Sequence, residues 1–177
     1  MKYAIIGATG NVGRKTIEIL EKSNLKVDKL NLLASKKSKG QYLSFRGKEI
    51  IVDDLENYNF SDANITFFAA GSKIAGKFAL NASKKTCVID NSKFFRMNTG
   101  IPLVVAEVNP DELNNHKNLI SNPNCSTIQL VLTLKPLHDV YKVKRVIVST
   151  YQAVSGAGKS SMDELISQSS EVLNGKN

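Results

Sequence analysis

Apolar and polar positions follow two alternating periods along the chain, and their succession predicts strands and helices in turn. Residues 3–7 (Y-A-I-I-G) make a short apolar run ending on glycine, the pattern of a strand buried on both faces. From about Val12 to Glu21 the spacing is helical, with Ile17 and Leu20 on the apolar face. Residues 27–34 alternate and then turn apolar, which predicts a second strand, and another is expected near Glu49–Val52. The run I-T-F-F-A-A at 65–70 is strongly β-prone, and Gly71-Ser72 opens a predicted helix to about Lys84. C-V-I-D at 87–90 predicts the next strand, after which the pattern loosens over Phe94–Pro102. A short apolar run at Leu103–Ala106, a helix start at Asn109-Pro110 and a strand at 119–122 follow. N-P-N-C-S-T at 122–127 leads into an apolar helix to about Leu134. A strand is expected over Val143–Thr150, then a glycine loop at 155–158 and a last helix from Ser161 to Leu173.

Strands alternating with helices predict an α/β fold, a Rossmann-type doubly wound and mostly parallel sheet. Residues 1–125 are assigned to that domain, and 126–177 to the beginning of a second, α+β domain in which 143–150 opens a new layer. There is no internal repeat or low-complexity linker.

Composition narrows the picture without changing it. A hydrophobic content of 42% and a charged content of 23% suit an ordinary globular protein. No stretch approaches the ~18 apolar residues that cross a bilayer. The apolar run after Lys2 breaks at Gly7 without a cleavage signal, so the expected location is the cytoplasm and no membrane is involved. The net charge of +8 raises nucleic acid as a partner. The lysines are scattered, however, and the densest group is Lys36, Lys37 and Lys39 in one short segment. A basic rim around a site for anionic small molecules fits better, and no nucleic acid is expected. Two cysteines, Cys87 and Cys125, and two histidines, His116 and His138, offer no spacing for a metal.

Three segments carry candidate chemistry. G-A-T-G-N-V-G, from Gly7 to Gly13, lies between the first strand and the first helix. Small residues there let the backbone approach a pyrophosphate, which the helix N-terminus then holds. Gly7, Thr9, Gly10, Asn11, Val12 and Gly13 are therefore candidate cofactor-binding residues, joined by Gly71 where the later helix opens. The second strand ends at Ala34-Ser35 with no carboxylate to take ribose hydroxyls, and Ser35, Lys36, Lys37 and Ser38 offer hydroxyls and cations instead. That set suits a 2′-phosphate and points to NADP. Finally, Cys125 follows an Asn-Pro-Asn turn at a predicted helix N-terminus, a position that favours negatively charged sulfur and hence a nucleophile. Cys87, inside a strand, reads as an inert buried cysteine.

N-P-N-C-S-T-I-Q at 122–129 and S-T-Y-Q-A-V-S-G-A-G at 149–158 resemble the two signature segments of the aspartate-semialdehyde dehydrogenase family. G-A-T-G-N-V-G, A-S-K-K-S-K-G and V-I-D-N-S-K-F-F-R resemble further family segments in the family's order, so the likeness spans essentially the whole chain. It implies an NADP-dependent enzyme that interconverts 4-phosphoaspartate and aspartate 4-semialdehyde, with phosphate as co-substrate and a homodimer as the assembly. The pathway implied is lysine, threonine, methionine and diaminopimelate biosynthesis. Cys125 would carry a thioester, Gln152 would orient the substrate, and Asn124 or its neighbouring amides would stabilise oxyanion charge. Arg96 would bind phosphate through its planar fork, with Lys93 as a weaker second contact. Ser155, Gly156 and Gly158 would approach the nicotinamide. The family often has an arginine where this chain has Lys36 or Lys37, which keeps charge but loses the fork.

The family's general base and substrate-carboxylate arginine come from a later half that has no counterpart in these 177 residues, and neither histidine matches the base. The chain by itself is therefore expected to turn over negligibly, since general acid–base help is worth about 10²–10⁴-fold. N-acetyl-glutamyl-phosphate reductase, which shares the G-A-T-G start, is the enzymatic alternative, although its cysteine context differs. A non-catalytic NADP-binding module is the alternative of another class.

Overall fold

The computed structural model describes residues 1–175. Its strands and helices are β1 (Lys2–Ile6), α1 (Asn11–Lys22), β2 (Lys29–Ala34), β3 (Tyr42–Phe45), β4 (Lys48–Asp54) and β5 (Ile65–Phe68). They continue as α2 (Ser72–Ala82), β6 (Cys87–Asp90), β7 (Leu119–Ser121), α3 (Cys125–Tyr141) and α4 (Lys159–Leu173). The chain divides into two compact units, Met1–Lys142 and Val143–Asn177.

The first unit is built on one sheet in the order β3-β4-β2-β1-β5-β6-β7. Every neighbouring pair is parallel except β3 with β4. From β1 the chain steps through α1 to β2 and β4 on one side, then returns to place β5 on the other side of β1. The strand order thus reverses at β1, and ligands of open parallel sheets bind in the crevice outside the carboxyl ends at such a reversal.

Alternation in β1 explains the two-sided core. Ala4 and Ile6 join Leu33, Phe68 and Val88 beneath α2, whereas Tyr3 and Ile5 join Leu32 and Val52 beneath Ile17 and Leu20 of α1. The face that α2 buries consists of Ala75, Ala79 and Ala82, small enough for the helix to approach the sheet closely. Each side chain transferred from water at these positions contributes roughly 25 cal/mol per Å² of apolar area.

Three expectations need correcting. The strand predicted over Val143–Thr150 does not form among the described residues. Its β-branched run has strand composition, but a strand requires a partner ladder for its backbone, and the second unit contains only a 3₁₀ turn and α4. The cysteine's helix also runs past Leu134 to Tyr141, through Pro136, whose missing N–H leaves the Leu132 carbonyl without its intrahelical donor. The helix expected at Asn109-Pro110 is a 3₁₀ helix, Pro110–Asn115. β3 was not foreseen. It pairs with β4 through a two-residue turn in which Arg46 (φ 49°) and Gly47 (φ 74°) both have positive φ, the type I′ pattern that matches strand twist.

Candidate active site

The glycine loop meets the sheet at its point of reversal. Gly7 N and Ala8 N both donate to Leu33 O, at 2.8 and 3.1 Å, and Gly10 N donates back to Gly7 O at 3.0 Å, closing the turn into α1. The three glycines serve different ends. Gly7 has φ +81°, and a Cβ there would lie 2.7 Å from Ala69 O in the segment after β5. A Cβ on Gly13 would sit 2.2 Å from Gly7 O, so the first turn of α1 lies directly on the loop. At Gly10 the nearest atom would be 3.4 Å away, leaving its outer side open. No side chain caps α1 and no acidic residue occupies its first turn, so an anion meets neither a competing acceptor nor a like charge. Gly71, φ +80°, opens α2 beside this loop with nothing within 4 Å of its absent side chain. These open glycine faces are where the backbone can accept a pyrophosphate.

The basic segment follows β2. Ser35 precedes a 3₁₀ turn over Lys36–Ser38, and Ser38 Oγ lies 3.4 Å from Thr9 Oγ1, which brings it to the glycine loop. Lys39 pairs with Asp53 at 3.2 Å, and Asp53 is held below the usual carboxylate range by the Asp54 amide and then by Lys39. Lys36 and Lys37 are exposed and take part in no ion pair among the described residues.

Cys125 is exposed at the first position of α3. Asn124 caps the helix, its Oδ1 accepting from Ser126 N at 3.0 Å and from Ser126 Oγ at 2.6 Å. The Cys125 thiol points at the same oxygen from 3.9 Å. The Asn124 acceptor is therefore occupied by the cap, and its amide donors are not part of it. Cys87 differs: it is half-buried, and burial pushes its thiol up.

Arg96 is half-buried between two strand ends. Its Nε donates to Asn122 O at 3.0 Å and its Nη2 to Asn91 O at 3.1 Å. Asn122 Nδ2 donates to Asn91 Oδ1 at 2.6 Å. Beneath them the fully buried Asp90 carboxylate accepts from Ser92 N and Ser92 Oγ, at 3.1 and 2.7 Å. Burial raises its pKa, opposed by the Ser92 bonds and by Arg96. Asn91 and Asn122 were missed at the sequence level; the polar flanks of C-V-I-D and of N-P-N-C were the only signal. Lys93 lies on the same loop and is exposed.

The first unit thus gathers the glycine loop, Ser35–Ser38 and Gly71 near the sheet reversal, and Lys93, Arg96, Asn124 and Cys125 beyond β6 and β7. Gln152, Ser155, Gly156 and Gly158 belong to the second unit. There Gln152 is exposed and Gly158 (φ +101°) starts α4 after a 3₁₀ turn over Val154–Ala157. His116 accepts from Asn118 N through Nδ1 at 2.8 Å and so closes the turn into β7, while His138 is exposed in the last turn of α3. Among the described residues no group of three or more His, Cys, Asp or Glu could hold a metal ion, and no helix is long and apolar enough to cross a membrane.

Fold and site together define a nucleotide-binding Rossmann domain that carries a cysteine at a helix N-terminus beyond the same sheet edge. The models of the semialdehyde dehydrogenase NAD binding domain and dimerisation domain match residues 2–116 and 134–177 respectively, and the chain belongs to the semialdehyde dehydrogenase family. It is 45% identical over 175 residues to aspartate-semialdehyde dehydrogenase 2 of Vibrio cholerae, covering 97% of this chain and 52% of that protein. It is 46% identical to the Bacillus subtilis aspartate-semialdehyde dehydrogenase, covering 98% of this chain and 51% of that one. A crystal structure of aspartate semialdehyde dehydrogenase II from Vibrio cholerae complexed with ASA superposes with a TM-score of 0.90 at 44% identity, covering 99% of this chain and 53% of that one. The chain spans about half the length of the curated relatives it matches.

Proposed function

We propose that this chain supplies the nucleotide site and the nucleophile of an aspartate-semialdehyde dehydrogenase, working in the cytoplasm in amino-acid biosynthesis. The observation that carries the reading is the placement of an open glycine loop and an exposed, helix-leading Cys125 beyond the carboxyl ends of one parallel sheet. The names of the relatives supply the substrate, aspartate 4-semialdehyde, and 4-phosphoaspartate is the acyl phosphate related to it.

Cys125 attacks the acyl-phosphate carbonyl, the C–O bond to phosphate breaks, and the acyl group rests on sulfur as a thioester. Arg96 holds the departing phosphate, for which its remaining N–H groups form a fork. A bound NADPH would supply a hydride to the thioester carbon, and the tetrahedral oxyanion held on Cys125 then expels the Cys125 thiolate to release the aldehyde. The Asn124 side-chain amide or the backbone amides beside Cys125 would meet the oxyanion charge that develops at the carbon bound to sulfur. By the family resemblance, Gln152 would orient the substrate, and Ser155, Gly156 and Gly158 would serve the nicotinamide. A solved structure of the enzyme from Candida albicans with NADP, 26% identical with a TM-score of 0.64, supports a nicotinamide cofactor. Lys36 and Lys37, free of ion pairs among the described residues, favour NADP over NAD. Residues 134–177 match a dimerisation domain, so the active form is proposed to be a homodimer.

The test combines NADP and NAD titrations with alkylation of the purified chain. Tight NADP binding with Cys125 alkylated at least tenfold faster than Cys87 supports the reading. NADP binding with equal cysteine rates leaves a nucleotide-binding module without a nucleophile. Turnover of aspartate semialdehyde with phosphate by the 177-residue chain alone is expected to be negligible, on the reading that neither His116 nor His138 matches the family's base.

A further inference from the structure

We infer that Asn91 and Asn122 are positioning residues that orient Arg96 as an anion fork and fix the turn leading to Cys125. The inference rests on reading Cys125 as nucleophile and Arg96 as the phosphate site.

A guanidinium has two edges with paired donors. The side edge, Nε with Nη2, is spent here on the carbonyls of Asn122 and Asn91. Three N–H bonds remain; one on Nη1 and one on Nη2 form the end edge, which matches two oxygens of a phosphate, and the second on Nη1 points away from it. A lysine at this position would satisfy the carbonyls with one rotating ammonium and leave no fork. Arg96 is thus aimed by what it does with its other side.

The two carbonyls come from different strand ends, 31 residues apart in sequence, and need to be held in register. Two bonds do this. Asn122 N donates to Asp90 O at 2.8 Å, continuing the β6–β7 ladder one residue beyond the strands, and the Asn122 side-chain amide donates to Asn91 Oδ1 at 2.6 Å. From below, Asp90 binds Ser92 through both oxygens, and Ser92 Oγ accepts from Phe94 N at 3.1 Å. The loop carrying Arg96 is therefore tied to the sheet at its start and to the Cys125 turn at its middle. Asn122 precedes Cys125 by three residues across the buried Pro123, so a shift of Asn122 moves the helix start that presents the sulfur.

The geometry separates two isosteric substitutions that add the same charge. Asn122→Asp replaces the donating amide by oxygen and sets it against Asn91 Oδ1, which breaks the bond. Asn91→Asp keeps an acceptor for the Asn122 amide, which preserves it. The readout is the alkylation rate of Cys125 by iodoacetamide in the full chain, with Cys87 as internal control, titrated with inorganic phosphate.

In the unmodified protein phosphate slows Cys125 and not Cys87. Asn122→Asp and Asn91→Ala are expected to raise the phosphate concentration for half-protection at least tenfold, and Asn91→Asp to stay within about threefold. Equal behaviour of the two aspartate variants, or half-protection within twofold of the parent in all three, overturns the inference while leaving the nucleophile reading intact. Absence of both phosphate protection and elevated Cys125 reactivity in the parent removes the functional reading, and the inference with it. Should Asn122→Asp fail to fold, the contrast between Asn91→Ala and Asn91→Asp decides alone.

Discussion

Replacing Gly13 by alanine tests whether the loop that receives the nucleotide is also a packing contact. The added Cβ would lie 2.2 Å from Gly7 O and 2.8 Å from Ala8 Cα, both backbone atoms that no rotamer change can move aside. Overpacking of this kind costs typically about 1–3 kcal/mol. Helix propensity acts the other way, since alanine is better than glycine inside a helix by roughly 0.8–1 kcal/mol. The overlap is more than 1 Å inside ordinary contact, which puts the clash at the upper end of that range, about 3 kcal/mol, and we expect a net loss of about 2 kcal/mol. In a domain of this size that lowers the thermal midpoint by about 4–8 °C. Gly10→Ala is the matched control, because its Cβ would have only Gly7 O, at 3.4 Å, nearby. Its midpoint should fall by no more than ~2 °C, whereas its NADP affinity should drop about tenfold or more, because the methyl occupies the open side offered to the pyrophosphate. Thermal unfolding and a nucleotide titration on both variants separate the two roles. A Gly13→Ala midpoint equal to the parent's, or equal losses of stability in both variants, would refute the division of labour.

The other predictions follow from single contacts. Arg46 spans the end of α1, with Nη2 donating to Leu20 O, Ser23 O and Leu25 O at 3.2, 2.9 and 3.1 Å, so Arg46→Ala should cost about 1 kcal/mol in a denaturant melt. The buried Asp90 carboxyl has its pKa raised in the fold, so the stability it contributes is complete below the unfolded value and lost as pH rises through the folded one. Asp90→Asn should accordingly gain in midpoint relative to the parent as pH rises above the ordinary aspartate range, and a difference that stays constant with pH would count against the assignment. Lys36→Glu with Lys37→Glu should weaken NADP at least tenfold and NAD far less, while Lys39→Ala, which acts on a residue already paired with Asp53, should have the smaller effect on selectivity.

Parts of the fold were legible because they depend on short-range pattern. β1, β5 and the start of α1 follow from apolar runs bounded by glycine, and Gly7 and Gly13 stand where the loop packs too tightly for a side chain. β3 escaped because Y-L-S-F is four residues long and becomes a strand only when the Arg46-Gly47 turn folds it back on β4. The opposite error at 143–150 has the same root. V-K-R-V-I-V-S-T carries strand composition, yet strand formation is settled by a partner that local pattern does not record.

The same distinction runs through the site. Cys125, the proposed nucleophile, and the glycine loop, the proposed phosphate cradle, are each read from local motifs within seven residues. Arg96 is readable as a cation, but not as an oriented one, because its orientation depends on carbonyls at residues 91 and 122. An asparagine after a strand ordinarily signals no more than a turn. Asn91 and Asn122 acquire another meaning only where parallel pairing of β6 with β7 brings Asp90 opposite Ser121 and so sets the two asparagines side by side. Register determines which residues come next along both strands, so a slip of one position would face the amides away from each other and leave Arg96 with one anchor. The precision of the anion fork is therefore a property of sheet register, which is why it becomes visible only in the folded chain.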